Sequence, residues 1–127
     1  MPQVLITSRA FNPNSESARI LKESGHELIF AKSAQDMTES ELIALLTPAR
    51  FSAVIADLDA FTAKVIAAAA PALKIIARFG TGYDTVDVAA ANRSGVVVTN
   101  TPGANAVSVA ELTFGFLIRL SRYILPQ

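Results

Sequence analysis

Cysteine is absent from the chain, and His26 is the only histidine among its 127 residues. Without cysteine, neither a disulfide bond nor a thiolate metal site can form, and a reducing compartment is permitted. One histidine cannot supply the set of nitrogen ligands that a zinc centre needs. We therefore expect no metal centre in this protein.

An excess of charge of one sign and a long apolar segment are also missing. Lys and Arg together number 11, and Asp and Glu number 11, so the composition predicts no partnership with nucleic acid or an anionic membrane. The apolar runs fall short of the ~18 residues of a transmembrane helix, and the first residues lack the basic region of a signal peptide. We expect a cytoplasmic protein with a small-molecule or protein partner.

Five short apolar runs alternate with helical patterns along the chain, and turn residues bound each run. The runs are mostly apolar on both faces, which is typical of a parallel sheet covered by helices on both sides. The number and spacing of these units predict a flavodoxin-like, doubly wound α/β domain over residues 1–106, with strand order 2-1-3-4-5. The strand candidates are residues 4–6, 27–30, 53–56, 73–77 and 96–98.

Capping residues indicate where several helices begin. Thr38 and Glu41 form a Thr-x-x-Glu capping box, and Thr62 is placed to cap the following helix. Ser108 and Glu111 repeat the same spacing near the end of the chain. This repetition predicts a second capping box at the start of the last helix.

The last helix, predicted over about residues 107–125, is apolar around nearly its whole circumference. Such a helix requires burial on several sides, whereas one small sheet covers a single side. We expect its other side to pack against protein outside this chain; the alternative is a helix enclosed within the domain. Its apolar residues are Val107, Val109, Leu112, Phe114, Phe116, Leu117, Ile118 and Leu120.

A glycine-rich loop follows the fourth strand candidate. Gly80 and Gly82 allow the backbone to approach a ligand closely, and consecutive N–H groups near a helix start favour a carboxylate or a phosphate. Arg78 would add a bidentate donor to the same anion. Thr85 occupies the position of the third glycine in a dinucleotide fingerprint, so the loop is not one. An ordinary strand-to-helix turn with a surface arginine is the alternative.

A second turn, at residues 100–103, follows the fifth strand candidate. Its Asn-Thr-Pro-Gly sequence suits a turn with proline at the second position, which directs the chain toward Asn105. Asn105 is a candidate either for the N-cap of the last helix or for a ligand contact.

Four aspartates near these loops are candidate site residues, Asp57 and Asp59 for a ligand contact and the pair Asp84 and Asp87 for acid–base chemistry. Asp57 and Asp59 follow the third strand, where solvated loop acids are the more common outcome. Asp84 and Asp87 stand three residues apart at a helix start, which favours capping over catalysis.

Three segments carry a resemblance to a known family. They read LKIIARFGTGYD at residues 73–84, GVVVTNTPGAN at 95–105 and SVAE at 108–111. In these segments the chain closely resembles the D-isomer-specific 2-hydroxyacid dehydrogenases, most nearly their phosphoglycerate dehydrogenase branch. The first 72 residues resemble the family's amino-terminal segment more loosely.

The resemblance implies that this domain binds a small 2-hydroxy or 2-oxo acid, with 3-phosphoglycerate the leading substrate. Gly80, Thr81 and Gly82 match the family's carboxylate-binding loop. Arg78 matches an arginine that phosphoglycerate-type members use toward substrate, and Asn105 matches an asparagine in the same cleft.

The resemblance also implies NAD as the cofactor, bound mainly by a second, Rossmann domain. Val107, Ser108 and Glu111 match the start of an interdomain helix beside the nicotinamide, so residues 107–127 are interpreted as that helix. The family's catalytic Arg, Glu and His belong to the second domain, and the resemblance implies that the present chain alone is inactive. It also implies a homodimer for the intact enzyme.

The chain departs from the family pattern at one position, and two other kinds of function are considered for it. Asp57 stands where several phosphoglycerate-type members carry a basic residue, which weakens the case for phosphoglycerate. A signalling module on the same fold would want an acidic pair after the first strand, where residues 7–9 read Thr-Ser-Arg. A stand-alone interaction module would bind a specific partner through the apolar last helix, whereas the interpretation as part of a dehydrogenase predicts self-association of the chain alone through that helix.

Overall fold

The computed structural model describes residues 1–31, 36–47 and 50–124, and its centre is a five-stranded sheet in which every neighbouring pair is parallel. The strand order is β2-β1-β3-β4-β5, which confirms the predicted flavodoxin-like order. The predicted strand boundaries are correct to within two residues. The strands are β1 (Gln3–Ile6), β2 (Glu27–Phe30), β3 (Phe51–Ala56), β4 (Ile75–Arg78) and β5 (Val97–Thr99).

Five helices follow the strands in alternation. Helices α2, α3 and α4 pack over one face of the sheet, and α1 packs over the other. The larger core, around Leu5, Val54 and Ile76, lies beneath the three helices, whereas Val4 and Ile6 face α1. The helices are α1 (Glu16–Glu23), α2 (Glu39–Leu46), α3 (Ala63–Ala69), α4 (Val88–Arg93) and α5 (Ala106–Ser121).

The capping box that begins α2 is confirmed. The Thr38 hydroxyl accepts a hydrogen bond from the Glu41 N–H at 3.3 Å, and the Glu41 carboxylate accepts one from the Thr38 N–H at 2.8 Å. Thr62 caps α3 in the same way, through the Val65 N–H at 3.4 Å. Because these contacts lie within four residues, the sequence alone predicted them.

The capping box predicted at Ser108 and Glu111 is wrong. Helix α5 begins at Ala106 with Asn105 at its N-cap position, so Ser108 already lies inside the first turn. Of the two aspartates predicted near the start of α4, Asp87 caps the helix by accepting from the Ala90 N–H at 2.8 Å, whereas Asp84 precedes it.

Helix α5 does not pack against the sheet, and none of its residues is buried. The alternative of a helix enclosed within this domain is therefore wrong. The large apolar side chains of α5 are each more than half exposed, from 52% for Phe116 to 73% for Leu120. The predicted helix end at residue 125 lies outside the described residues. Within the described ranges, no helix has the length and hydropathy needed to cross a membrane.

Candidate functional site

The glycine-rich loop leaves the carboxyl end of β4 and exposes consecutive backbone N–H groups. Within the described part of the chain, the N–H groups of Gly80, Thr81 and Gly82 donate to no acceptor. Gly80 has a φ of +154°, a backbone conformation that side-chain-bearing residues rarely adopt. A Cβ on Gly82 would come within 3.2 Å of Asp84 Oδ1. Both glycines therefore suit a loop that presents its backbone to a ligand.

The turn after β5 holds this loop in place. The Thr101 N–H donates to the Gly80 carbonyl oxygen at 3.0 Å, and Asn100 Nδ2 donates to the Thr81 carbonyl oxygen at 2.7 Å. The Thr81 hydroxyl donates to Asn105 Oδ1 at 3.1 Å, with the Thr101 carbonyl oxygen as an alternative acceptor at 3.3 Å. The structure thus brings together Thr81 and Asn105, two of the residues that the sequence placed in one site.

Asn105 does not use its side chain to cap α5. It stands at the N-cap position, but no cap hydrogen bond reaches its side chain. The Asn105 amide oxygen instead accepts from Thr81, in the neighbouring loop. Of the two roles considered from the sequence, the structure excludes the side-chain cap, while the ligand contact stays a prediction.

A cavity of about 390 Å³ lies between the two loops. This volume is at the lower end of the range for small-molecule sites. The backbone groups and the Thr81 and Asn105 side chains supply polar contacts on one side, and Phe79 adds an apolar wall. Its lining residues are Phe79, Gly80, Thr81, Thr101, Ala104 and Asn105.

Arg78 lies beneath the loop and is only 6% exposed. Its Nε donates to the Gly82 carbonyl oxygen at 2.8 Å, and its Nη1 donates to the Ala56 carbonyl oxygen at 2.9 Å and to the Asp57 carbonyl oxygen. Two of its three nitrogens therefore bind backbone carbonyls of this chain. The direct bidentate contact between Arg78 and a ligand stays a prediction.

Ser8 is a site residue that sequence reasoning missed. Its hydroxyl donates to Asp57 Oδ2 at 3.2 Å, and Asp57 Oδ1 lies 4.0 Å from Arg78 Nη1. These three side chains follow or end β1, β3 and β4, which are adjacent in the sheet. The signal available in the sequence was that polar residues at the carboxyl ends of neighbouring parallel strands meet at one edge.

Asp59 is not the solvated loop acid that was expected. It is 3% exposed, and its Oδ1 accepts from the Met37 N–H at 2.7 Å. This contact joins the end of β3 to the segment before α2. The carboxylate therefore has a structural role.

Val107, Ser108 and Glu111 lie on the first turns of α5 and are exposed. Their side chains make no hydrogen bond or ion pair with the described residues, and none of the three lines the cavity. Their predicted contact with a cofactor therefore stays a prediction. Within residues 1–31, 36–47 and 50–124, no group of His, Cys, Asp or Glu side chains could hold a metal ion.

Comparison with known protein families and with curated proteins finds dehydrogenases in both cases. A family profile described as D-isomer specific 2-hydroxyacid dehydrogenase, catalytic domain, matches residues 4–117. D-3-phosphoglycerate dehydrogenase from Rattus norvegicus is 41% identical over 109 residues, which cover 86% of this chain and 19% of that protein. The chain thus spans about a fifth of the length of the curated relatives that it matches.

Two solved structures superpose on nearly the whole of this chain. The TT0316 protein from Thermus thermophilus superposes with a TM-score of 0.84 at 29% identity, over 96% of this chain and 37% of that one. The 3-phosphoglycerate dehydrogenase of Entamoeba histolytica, described as bound to NAD⁺, superposes with a TM-score of 0.76 at 31% identity. That match covers 93% of this chain and 38% of the other.

Proposed function

The chain belongs to the D-isomer-specific 2-hydroxyacid dehydrogenase family, and on that premise we propose that residues 1–106 form the substrate-binding domain of an NAD-dependent oxidoreductase. The intact protein oxidises the CH–OH group of a small D-2-hydroxy acid or reduces the corresponding 2-oxo acid. One observation carries this proposal: Gly80 and Thr81, whose N–H groups have no acceptor among the described residues, line a cavity of about 390 Å³ at the carboxyl ends of the strands.

The substrate carboxylate is the group that this loop suits. Consecutive backbone N–H donors in a loop bind an anion without any side chain, although α4 begins only at Val88 and so adds no helix N-terminus to this site. Gly80, Thr81 and Gly82 hold the carboxylate, and Asn105 contacts a neighbouring polar group of the same acid. Arg78 belongs to the site from beneath the loop, where its Nε holds the Gly82 carbonyl oxygen.

3-Phosphoglycerate is the leading substrate, because relatives 39–41% identical to this chain are named for it. Asp57 weighs against a second anionic group, since its carboxylate follows β3 at the same edge of the sheet and is 4.0 Å from Arg78 Nη1. D-Glycerate, which lacks the phosphate, is therefore the matched comparison.

NAD is the proposed cofactor, held mainly by a second domain that residues 107–127 lead to as an interdomain helix. The start of α5 is compatible with this role, because its first turns are exposed and no side chain caps them. Val107, Ser108 and Glu111 would lie beside the nicotinamide, which supplies the hydride acceptor when it is bound.

The residues present here bind substrate without turning it over. A D-2-hydroxyacid dehydrogenase needs a general acid–base beside the reacting carbon, and His26 is the only histidine of the chain. His26 directly precedes β2, at the amino ends of the parallel strands, whereas the loop lies at their carboxyl ends. We therefore expect no dehydrogenase activity from these residues alone.

Titration of the ¹⁵N-labelled chain with D-3-phosphoglycerate, D-glycerate and pyruvate tests the proposal by NMR. The amide resonances of residues 80–83 are expected to shift. Thr81→Val is expected to weaken binding about 2- to 12-fold, since it removes one hydroxyl worth roughly 0.5–1.5 kcal/mol. Thr85→Val, the same substitution outside the cavity lining, is the matched control. Shifts confined to other parts of the chain would refute the assignment of the loop.

A stand-alone interaction module is a second candidate, favoured by the exposure of α5. A helix this apolar and this exposed is a site for contact with protein. In the dehydrogenase, that contact is made within the intact enzyme, which we expect to be a homodimer. In the alternative, the chain binds a separate partner or a second copy through α5 and shows no carboxylate binding at the loop.

A further inference from the structure

The three carbonyl groups of the Gly80–Gly82 loop are all engaged, in contrast to its N–H groups. The Gly80 oxygen accepts from the Thr101 N–H at 3.0 Å, and the Thr81 oxygen accepts from Asn100 Nδ2 at 2.7 Å. The Gly82 oxygen accepts from Arg78 Nε at 2.8 Å. Each acceptor therefore has one fixed donor.

Fixing a carbonyl also fixes the N–H that follows it. In a trans peptide the C=O and the next N–H lie in one plane and point in opposite directions. The contact with Arg78 draws the Gly82 oxygen beneath the loop, so the Tyr83 N–H is directed away from Arg78. The other two contacts orient the N–H groups of Thr81 and Gly82 in the same manner. A preorganised row of donors results, and an anion binds it without reorganising the loop.

Arg78 also joins the loop to the end of β3. Its Nη1 donates to the carbonyl oxygens of Ala56 and Asp57. The Asp57 side chain lies 4.0 Å from the same nitrogen and is itself held by the Ser8 hydroxyl at 3.2 Å. The nearby carboxylate offsets part of the charge of Arg78, and this leaves the oriented N–H groups as the main attraction for an anion.

We propose that Arg78 is a positioning residue: it orients the Tyr83 N–H through the Gly82 carbonyl and does not itself contact the substrate carboxylate. This inference rests on the proposed function, because it requires the loop to be the carboxylate site. It assigns the buried arginine a role through hydrogen-bond direction, not through charge.

Two substitutions of Arg78 separate direction from charge. In Arg78→Gln, the amide Nε2 occupies the same place along the side chain as the arginine Nε, so the donor to the Gly82 oxygen is kept while the charge is lost. In Arg78→Lys the charge is kept, but a methylene replaces the Nε donor. Arg78→Met removes both.

The measurement is the dissociation constant of pyruvate for each 127-residue variant, from amide shifts of residues 80–83, at a temperature where circular dichroism shows each variant folded. Arg78→Gln is expected to bind within about threefold of the unsubstituted chain, whereas Arg78→Lys and Arg78→Met are each expected to be weakened at least about tenfold. Binding by the Lys variant equal to or tighter than that of the Gln variant would overturn the inference.

A second measurement on the unsubstituted chain tests the positioning role of Arg78 and does not depend on whether the variants fold. If Arg78 only positions the loop, saturation with pyruvate shifts the Tyr83 amide resonance and leaves the ¹⁵Nη resonances of Arg78 unchanged. A large shift of those ¹⁵Nη resonances would mean direct contact and would overturn the inference while leaving the proposed function intact. No shift at residues 80–83 would refute the proposed function itself, and the positioning role with it.

Discussion

Leu42 and Leu117 offer a direct test of whether α5 contributes to the stability of this domain. Both are leucines inside helices, but Leu42 in α2 is fully buried and Leu117 in α5 is 56% exposed. Truncation of a buried leucine to alanine costs about 2–5 kcal/mol, because it removes packed methyl groups and leaves a cavity. A substitution at an exposed site costs less than about 0.5 kcal/mol. We therefore expect Leu42→Ala to be destabilising and Leu117→Ala to be nearly neutral.

Urea unfolding followed by far-UV circular dichroism measures both effects. With a slope of about 2 kcal/mol per M, a loss of about 3 kcal/mol in the free energy of unfolding lowers the midpoint by about 1.5 M. The Leu117→Ala midpoint is expected to move by less than about 0.3 M on the same scale. A Leu117→Ala shift as large as that of Leu42→Ala would refute the reasoning, because it would mean that α5 packs against protein. Repeating the measurement at several chain concentrations would show whether that protein is a second copy.

Two further predictions concern hydrogen bonds elsewhere in the domain. The Thr85 hydroxyl is buried without a hydrogen-bond partner among the described residues, so Thr85→Val is expected to leave the urea midpoint unchanged or raise it; a marked fall would show that the hydroxyl is satisfied. The pKa of Glu39 is lowered mainly by the Thr62 hydroxyl, and that of Glu41 mainly by the Thr38 backbone N–H. Because both values lie below the ordinary 4.5 in the folded chain, the stabilisation is complete above that pH and is lost as the pH falls through the lowered values. Glu41→Gln is expected to reduce this acid-induced loss, and urea midpoints at about pH 7 and about pH 3 measure it; an identical loss in the variant would contradict the assignment.

Local signals predicted the helix starts well where the contacts that decide them are close in sequence. The capping box of Thr38 and Glu41 needs only its own four residues, and it formed as predicted. The same spacing failed at Ser108 and Glu111, since α5 begins three residues earlier than that box requires. The turn after β5 sets this earlier start, through contacts between residues 100–105 and the loop after β4. Contacts between two loops thus decided where α5 begins, and the local capping pattern did not.

The position of the glycine-rich loop in the sheet was predictable, but the direction of the side chains around it was not. Glycines after a buried strand placed the loop at the carboxyl edge of the sheet, as the parallel arrangement requires. Whether Arg78 points toward a ligand or beneath the loop depends on the carbonyls of Ala56 and Gly82, which no pattern in the sequence reveals. The burial of Asp59 likewise depends on the Met37 N–H, 22 residues away.

The cavity lies directly beside the start of α5, and this position bears on how tightly the chain alone can bind a carboxylate. Ala104 and Asn105 line the cavity, and α5 begins at the next residue. A protein surface that packs along the first turns of α5 would therefore lie beside the cavity and exclude water from it. Exclusion of water strengthens the attraction between the loop N–H groups and a carboxylate, because the effective dielectric constant falls. For the chain alone, where these turns are exposed, we expect carboxylates to bind with dissociation constants of about 1 mM or weaker, equivalent to about 4 kcal/mol at most. Micromolar binding by the chain alone would mean that the two loops suffice and that a surface along α5 adds little to substrate affinity.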